Sequence, residues 1–396
     1  MFFIFFRNKP GLFILTKVIA VAGLLFVLLA QMSHGPTAAA HFRVTNLPTL
    51  RSPVQVQLSK PLVVQWRHDS VQTINLTPAS DGKYVYLPLS GGTLLSLSAD
   101  TGQLVWRAEI GGELSASPVV NDHGVYVASE SKDTSAAATG STGALRLLGR
   151  DTGVTMWVRP LTSAPSGSLA MNQETIFGAT KDGRVYAVRK SNGNLLWSRK
   201  LDSSFASQVS LINERLYVGA EDGKVYVLER DAGKPLYRYQ TRGAIRGRFA
   251  YGDGVLFFGS ADGYVYAIND GKGGRRWRTR TGASVQSVLA VHNGVVATSL
   301  DNFVYFLALN NGDRLWKRQL AGRLAAEPLA TFDGVLLTPL SGDSGIVLSL
   351  VDGKQLNTLP LGEESSTGAS PIIAGEYLLV TTRKGLIAFG RPKAEK

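Results

Sequence analysis

The stretch Ser-Gly-Asp-Ser-Gly at 341–345 has the look of the neighbourhood in which serine proteases carry their nucleophile. A serine becomes reactive only with a base in hydrogen-bond reach and a third group to orient that base. The five histidines, His34, His41, His68, His123 and His292, include no pair at metal-ligand spacing. His123 and His292 fall instead in equivalent turns, and Ser341 lies 40 residues after Asp301, which is itself in a turn. No Asp-x-Asp-x-Asp-Gly calcium loop and no Walker phosphate loop is present, and Gly-Lys-Gly-Gly at 271–274 occupies another turn. The aspartates stand mostly beside glycine or asparagine, where their first use is to stabilise the turn. Acyl transfer, metal and phosphate chemistry all lack their residues.

Binding chemistry has more to work with. Arginines cluster at Arg238, Arg242, Arg246 and Arg248, then at Arg275, Arg276, Arg278 and Arg280. Of these, Arg242, Arg246, Arg248, Arg275 and Arg276 are the candidate partner-binding residues. If side chains 40 residues apart lie on adjacent units, they form one basic patch. The alternative is a plainly solvated outer strand.

The elements that position these residues are set by a repeat. "KDGRVYAVRKSNGNLLW" at 181–197 returns as "EDGKVYVLERDAGKPLY" at 221–237 and "ADGYVYAINDGKGGRRW" at 261–277. All six tryptophans, Trp66, Trp106, Trp157, Trp197, Trp277 and Trp316, share one phase, with Tyr237 and Leu356 filling its vacancies. The steps are 40, 51, 40, 40, 40, 39 and 40 residues, and the long one contains the small polar insertion 129–142. Each period carries three turn signals separated by short β-branched and aromatic runs, hence four antiparallel strands. Such units must stack to bury their faces, and radial stacking gives a β-propeller. Eight aromatic-phase positions predict an all-β, eight-bladed propeller over 62–391. Its last unit, Ala369 onward, stops one strand short, and "LVVQWRH" at 62–68 is the strand expected to complete it and close the ring. The phase-sharing aromatics Trp66, Trp106, Trp157, Trp197, Tyr237, Trp277 and Trp316 are expected to dock one blade on the next. No helix is expected beyond the amino-terminal segment.

That segment, 1–40, reads as a signal peptide or an uncleaved membrane anchor. Arg7, Lys9 and Lys17 precede the apolar run Val18 to Ala30, and small residues follow it. Residues 41–61 read as a linker and 392–396 as a tail. The absence of cysteine excludes a disulfide framework and a lipidated amino-terminal cysteine. Beyond residue 40 the chain has 39 basic and 30 acidic residues, +9. Export makes nucleic acid a poor partner for that charge and favours an envelope protein or an anionic envelope component. Membrane contact is expected only through the first segment, and the propeller is expected to be monomeric.

"SADTGQLVW", "GRDTGVTMW", "KSNGNLLW" and "LNNGDRLW" resemble the tryptophan-docking repeat of the pyrroloquinoline-quinone (PQQ) family. One branch of that family contains quinoprotein alcohol dehydrogenases; another contains BamB-like proteins, which serve outer-membrane β-barrel assembly. The enzyme branch implies a quinone stacked on an aromatic, a calcium ion and an aspartate base. Here every tryptophan belongs to the docking phase. "AIRGRF" at 244–249 resembles the connection through which BamB-like proteins meet their barrel-forming partner, with Arg246 matching the arginine of that contact. The acidic pair of the same contact has no counterpart in "GASVQSV", 282–288. The resemblance implies an exported, non-catalytic binding scaffold in envelope or outer-membrane protein assembly, working without a cofactor. The alternative is a PQQ-dependent alcohol dehydrogenase or PQQ-binding protein holding PQQ and calcium.

Overall fold

Asp-Gly and Asn-Gly pairs reverse the chain because positive φ angles at both positions match the twist of a tight hairpin. The structure is a computed structural model and describes residues 56–130, 141–205, 207–362 and 367–392; the segment 1–40 and most of the tail lie outside them. Asp253 and Gly254 adopt φ of 50° and 74°, as the turn requires. The fourth repeat makes the same turn without glycine, with Asn213 at 45° and Glu214 at 64°. A left-handed glutamate is unfavourable, and its carboxylate is held by an ion pair with Arg230.

Between the turns the described residues form 32 strands and no helix. The fifth repeat shows the plan. Ala250–Gly252, Val255–Gly259, Tyr264–Asn269 and Arg275–Arg280 pair antiparallel in sequence order, from innermost to outermost. The outermost strand carries a bulge one residue before the aromatic, between the partners of Ala267 and Ile268. The third, fourth and sixth repeats repeat that bulge. An extra residue there sharpens the local twist and re-aims the side chain that follows.

The strands assemble into six four-stranded sheets and one of eight strands. The larger one is two antiparallel four-stranded halves, the second and third repeats, joined by a short parallel pairing of Gly167 with Ala116 and Ser168 with Ser117. Four-stranded blades were expected, and here two of them are joined. The difference arises because the innermost strands Leu114–Asn121 and Pro165–Met171 are long enough to touch side by side, whereas the fourth and fifth repeats have three-residue inner strands.

Val63–Asp69 pairs antiparallel with Gly385–Gly390, adding the fourth strand to the three at the carboxyl end. The residues just before it, expected as the end of a linker, are part of the packed structure. Leu58 is fully buried, Val56 and Leu62 are buried with it, and the Asp333 carboxylate accepts hydrogen bonds from Leu58 N (3.2 Å), Ser59 N (3.0 Å) and Ser59 Oγ (2.6 Å).

The core is divided by the repeat. Phe177, Val185 and Ala187 of the third repeat pack on Leu216, Val218 and Leu228 of the fourth, and similar clusters join the fourth to the fifth and the fifth to the sixth. One cluster joins the two ends of the chain, with Trp66, Leu379 and Leu386 against Val85, Leu87 and Leu97. Each sheet thus buries both faces against its neighbours.

Candidate functional site

The aromatic phase is a docking device. Each tryptophan donates its indole N–H to a backbone carbonyl in the next repeat: Trp66 to Ala99 (2.9 Å), Trp157 to Lys190 (2.9 Å), Trp197 to Arg230 (3.0 Å) and Trp277 to Leu309 (2.9 Å). Trp106 and Trp316 do the same to Arg150 and Leu350. The ring lies on the glycine of the next repeat's third turn. A Cβ on Gly102, Gly193, Gly233 or Gly312 would sit 2.4–2.6 Å from the indole, and all four have φ between 63° and 73°. Glycine is therefore required twice, for the angle and for the approach.

Tyr237 departs from this pattern. Its hydroxyl accepts Gly271 N at 3.2 Å, and the same junction is held by Asp270. That carboxylate receives Asn213 Nδ2 (3.1 Å), Arg215 Nη1 (3.0 Å) and the Tyr217 hydroxyl. Burial raises the pKa of Asp270, but hydrogen bonds from Tyr217, Asn213 and Arg215 outweigh it and hold the group below the usual carboxylate range.

The candidate arginines do not form one patch. Arg242 and Arg246 follow the outer strand Pro235–Gln240 and lie at the end of the sheets that carries the second turns, where Arg242 N donates to Asp262 Oδ2 at 3.0 Å. Arg275 and Arg276 begin the strand Arg275–Arg280, at the opposite end, with Arg276 Nε bonded to Asn269 Oδ1 at 2.7 Å. A six-residue strand separates its ends by roughly 17 Å. Equal phase places residues side by side only at the same end of a sheet, and these two groups differ in phase.

Arg246 forms a two-pronged pair with Glu221, Nε to Oε1 at 2.9 Å and Nη2 to Oε2 at 2.6 Å, while its side chain stays more than half exposed. Fork-on-fork geometry fixes the guanidinium plane in space. Arg248 points elsewhere. It reaches Gln208 Oε1 through Nε (3.2 Å) and Nη2 (3.1 Å) and lies 3.5 Å from Glu327, which also accepts Gln208 Nε2 at 3.0 Å.

This trio stands in a cavity of about 440 Å³ bounded by the innermost strands. Its lining is periodic, because Pro78, Pro118, Gln208, Arg248, Pro328 and Pro371 hold one position of their repeats, as do Ser168 and Val288. Hydrogen bonds link neighbours around it: Glu327 N to Ser370 Oγ (3.0 Å), Ser370 N to Thr77 Oγ1 (3.0 Å) and Thr77 N to Ser117 Oγ (3.1 Å). Sequence reasoning missed this cavity. The available signal was a hydroxyl residue before proline at 77–78, 117–118 and 370–371, in phase with Gln208 and Arg248.

Among the described residues the serine and histidine candidates are not brought together. Ser341 lies in an exposed turn against Gly322. His68 is half-buried, His123 and His292 are exposed, and His34 and His41 lie outside the described residues. Among the described residues no three acidic or histidine side chains come together as a metal site. Turn aspartates are engaged locally: Asp301 accepts Phe303 N (3.0 Å), Gly282 N (2.8 Å) and the Tyr305 hydroxyl (2.5 Å). The indoles that could stack on a quinone are all docked on glycines, and the cavity presents proline, small hydroxyls and one arginine–glutamine–glutamate cluster. The cavity lining holds no aromatic residue, one carboxylate (Glu327) and one side-chain amide (Gln208), whereas a PQQ–calcium centre needs an aromatic face and several carboxylate or amide oxygens.

Comparison with known proteins agrees with this geometry. A family profile described as outer membrane protein assembly factor BamB matches residues 63–146, 141–247 and 243–396. An outer membrane protein assembly factor BamB from Shewanella oneidensis is 35% identical over 106 residues, 26% of this chain and 24% of the relative, so the match spans about a quarter of that protein's length. The crystal structure of BamB from Moraxella catarrhalis superposes with a TM-score of 0.69 at 14% identity, covering 83% of this chain and 99% of the other. The computationally designed Ika8 protein superposes with a TM-score of 0.68 at 18% identity, with the same coverage. The two structures share the propeller-like fold. With a profile match running through all of its repeats, the chain belongs to the outer membrane protein assembly factor BamB family.

Proposed function

We propose that this protein is an exported, non-catalytic binding scaffold for outer-membrane protein assembly, built as a closed ring of eight blades. The observation that carries this reading is the family match from residue 63 to 396, which passes through every repeat. Closure is supported by contacts between the chain's two ends: Val63–Asp69 in the last sheet, Trp66 docked on Ala99, and Ser370 N on Thr77 Oγ1. The scaffold acts without quinone or calcium on the extracytoplasmic side of the membrane, reached through the segment 1–40. Its partner is an envelope protein of the barrel-assembly apparatus, met at the exposed connection that carries Arg246. Glu221 holds that guanidinium at the surface, ready to exchange one carboxylate for a partner's acceptor.

The full chain, displayed on beads, is incubated with solubilised outer membranes, and the retained β-barrel assembly proteins are quantified by mass spectrometry. The parent retains them and Arg246→Glu loses at least about tenfold, with unfolding free energy changed by no more than about 1 kcal/mol because exposed pairs contribute little to stability. Raising salt weakens retention by the parent, since the Debye length is already about 8 Å at 0.15 M. Equal retention by parent and variant removes Arg246 from the interface. Failure of both to retain any assembly protein removes the assembly role.

A further inference from the structure

The third repeat breaks a rule that its neighbours keep. Tyr186, Tyr226, Tyr266 and Tyr305 hold one position in four successive repeats, each four residues after the second-turn aspartate. In the fifth repeat Tyr266 Oη donates to Asp262 Oδ2 at 2.7 Å, and in the sixth Tyr305 Oη donates to Asp301 Oδ2 at 2.5 Å. The same oxygen also receives a backbone N–H from the preceding connection, Arg242 N at 3.0 Å or Gly282 N at 2.8 Å. In those repeats a carboxylate oxygen thus sits between the tyrosine and the connection.

In the third repeat it does not. Asp182 turns to the Thr180 hydroxyl and lies 3.5 Å from Arg184 Nε and 3.8 Å from Lys200 Nζ. The residue opposite Tyr186 explains the change. Val218, Phe258 and Ala297 face the other three tyrosines, whereas Gly178 faces Tyr186. A Cβ on Gly178 would sit 2.1 Å from the Tyr186 hydroxyl, so only glycine leaves that place open to it. Tyr186 lies down across the strand, is 98% buried, and its hydroxyl has no hydrogen-bond partner. Arg184 Nε, also buried, makes no hydrogen bond and is left with the 3.5 Å ion pair to Asp182.

A buried donor without an acceptor is destabilising, and Tyr186 and Arg184 both line one cavity of about 230 Å³ between the second and third repeats. Thr180 and Ser198 line it with hydroxyls, Leu161 and Leu195 with apolar surface, and no acidic residue lines it. Arg184 of the lining is paired with Asp182, which Lys200 also approaches, so the three sum to one positive charge. Burial pushes the Tyr186 phenol above its ordinary range, so it remains a donor at neutral pH. We infer that this cavity is a site for a small carboxylate with an apolar body, whose oxygens take the place filled by Asp262 and Asp301 in later repeats. The volume lies below the usual 300–1,000 Å³ of drug-sized pockets, which limits the ligand to about the size of one ring.

Benzoate is the probe, with benzamide as its uncharged counterpart, and the full chain is followed by thermal unfolding and by ligand-observed NMR. Benzoate raises the Tm of the parent and binds in the millimolar range, as linkage requires of a native-state ligand; benzamide binds at least tenfold more weakly. Tyr186→Phe is no less stable than the parent without ligand, because it removes an unpaired hydroxyl, and loses about tenfold in benzoate affinity. Arg184→Gln loses a similar factor. Absence of benzoate binding, equal binding of benzamide, or undiminished binding by both variants overturns the assignment.

Discussion

Trp277 and the glycine it rests on, Gly312, show how much a single pair decides. The indole is 7% exposed, bonded to Leu309 O and packed on Phe257 with ring centroids 5.7 Å apart. Trp277→Ala is expected to lose about 3–5 kcal/mol, the range for buried aromatic truncation, read from urea unfolding. A midpoint equal to the parent's would show that the docking phase is not a structural element. The glycine side of the contact is tested by a matched pair. Gly193→Ala, at φ 70° with its new Cβ 2.6 Å from the Trp157 ring, is expected to lose more than about 1 kcal/mol. Gly252→Ala meets nothing within 4 Å and needs no left-handed backbone, so its stability is expected to stay at or slightly above the parent's. Equal losses in the two would mean that helix- or strand-independent glycine entropy, not docking, sets the cost.

At the scale of the element, the junction between the fourth and fifth repeats is held by charge where six of the others use an indole. The Asp270 carboxylate has a folded pKa below its ordinary value. Its contribution to stability is therefore full above the unfolded pKa, about 3.9, and is lost as pH falls through the folded value. Asp222, Asp301 and Asp333 are lowered in the same direction, so the parent loses stability steeply below about pH 4. Asp270→Asn is expected to lower stability at pH 7 and to flatten the acid limb of the stability curve; an unchanged slope would show that the carboxylate titrates alike in both states. Asp333 does a different job at the other junction, holding Leu58 and Ser59 through three hydrogen bonds. Hydrogen bonds to a charged group contribute about 1.5–3 kcal/mol each, net of the water they replace. Asp333→Ala is accordingly expected to release residues 56–60 to hydrogen exchange at rates near those of free chain, while Trp66 remains docked. Unaltered protection at Leu58 would place the anchoring in the apolar contacts of Val56 and Leu58 alone.

For the whole molecule the decisive element is Val63–Asp69, the first strand among the described residues and the edge strand of the last sheet. Removing residues up to 69 takes away a strand, Trp66 and its bond to Ala99, and leaves Gly385–Gly390 as an unpaired edge. Such a truncation is expected to unfold over a broad, non-cooperative transition, whereas removal of residues 1–55 leaves the described structure with a single sharp one. Matching transitions would exclude a ring closed through the amino-terminal strand. The repeat, the strand count per period, the docking aromatics and the need for this strand were legible in the chain, because turn residues and apolar alternation act over a few residues and recur every 40. The joining of two four-stranded units into one sheet was not legible, since the lengths of the innermost strands decide whether neighbours touch, and strand ends are set by packing.

The residues lining the cavities lay beyond such reading for the same reason. Gln208, Arg248 and Glu327 are up to 119 residues apart, and nothing local to any of them indicates that they face one another. Arg275 and Arg276 share a composition with Arg246 but not an end of the sheet. Asp182 and Tyr186 have the same spacing as Asp262 and Tyr266, yet the glycine across the strand at 178 separates their hydroxyl and carboxylate. By itself the sequence determined the unit, its period and the covalent order of its turns, all consequences of backbone preference and short-range burial. Tertiary structure alone decided which side chains of equal phase meet, because that depends on the direction of each strand and on the space its neighbour leaves.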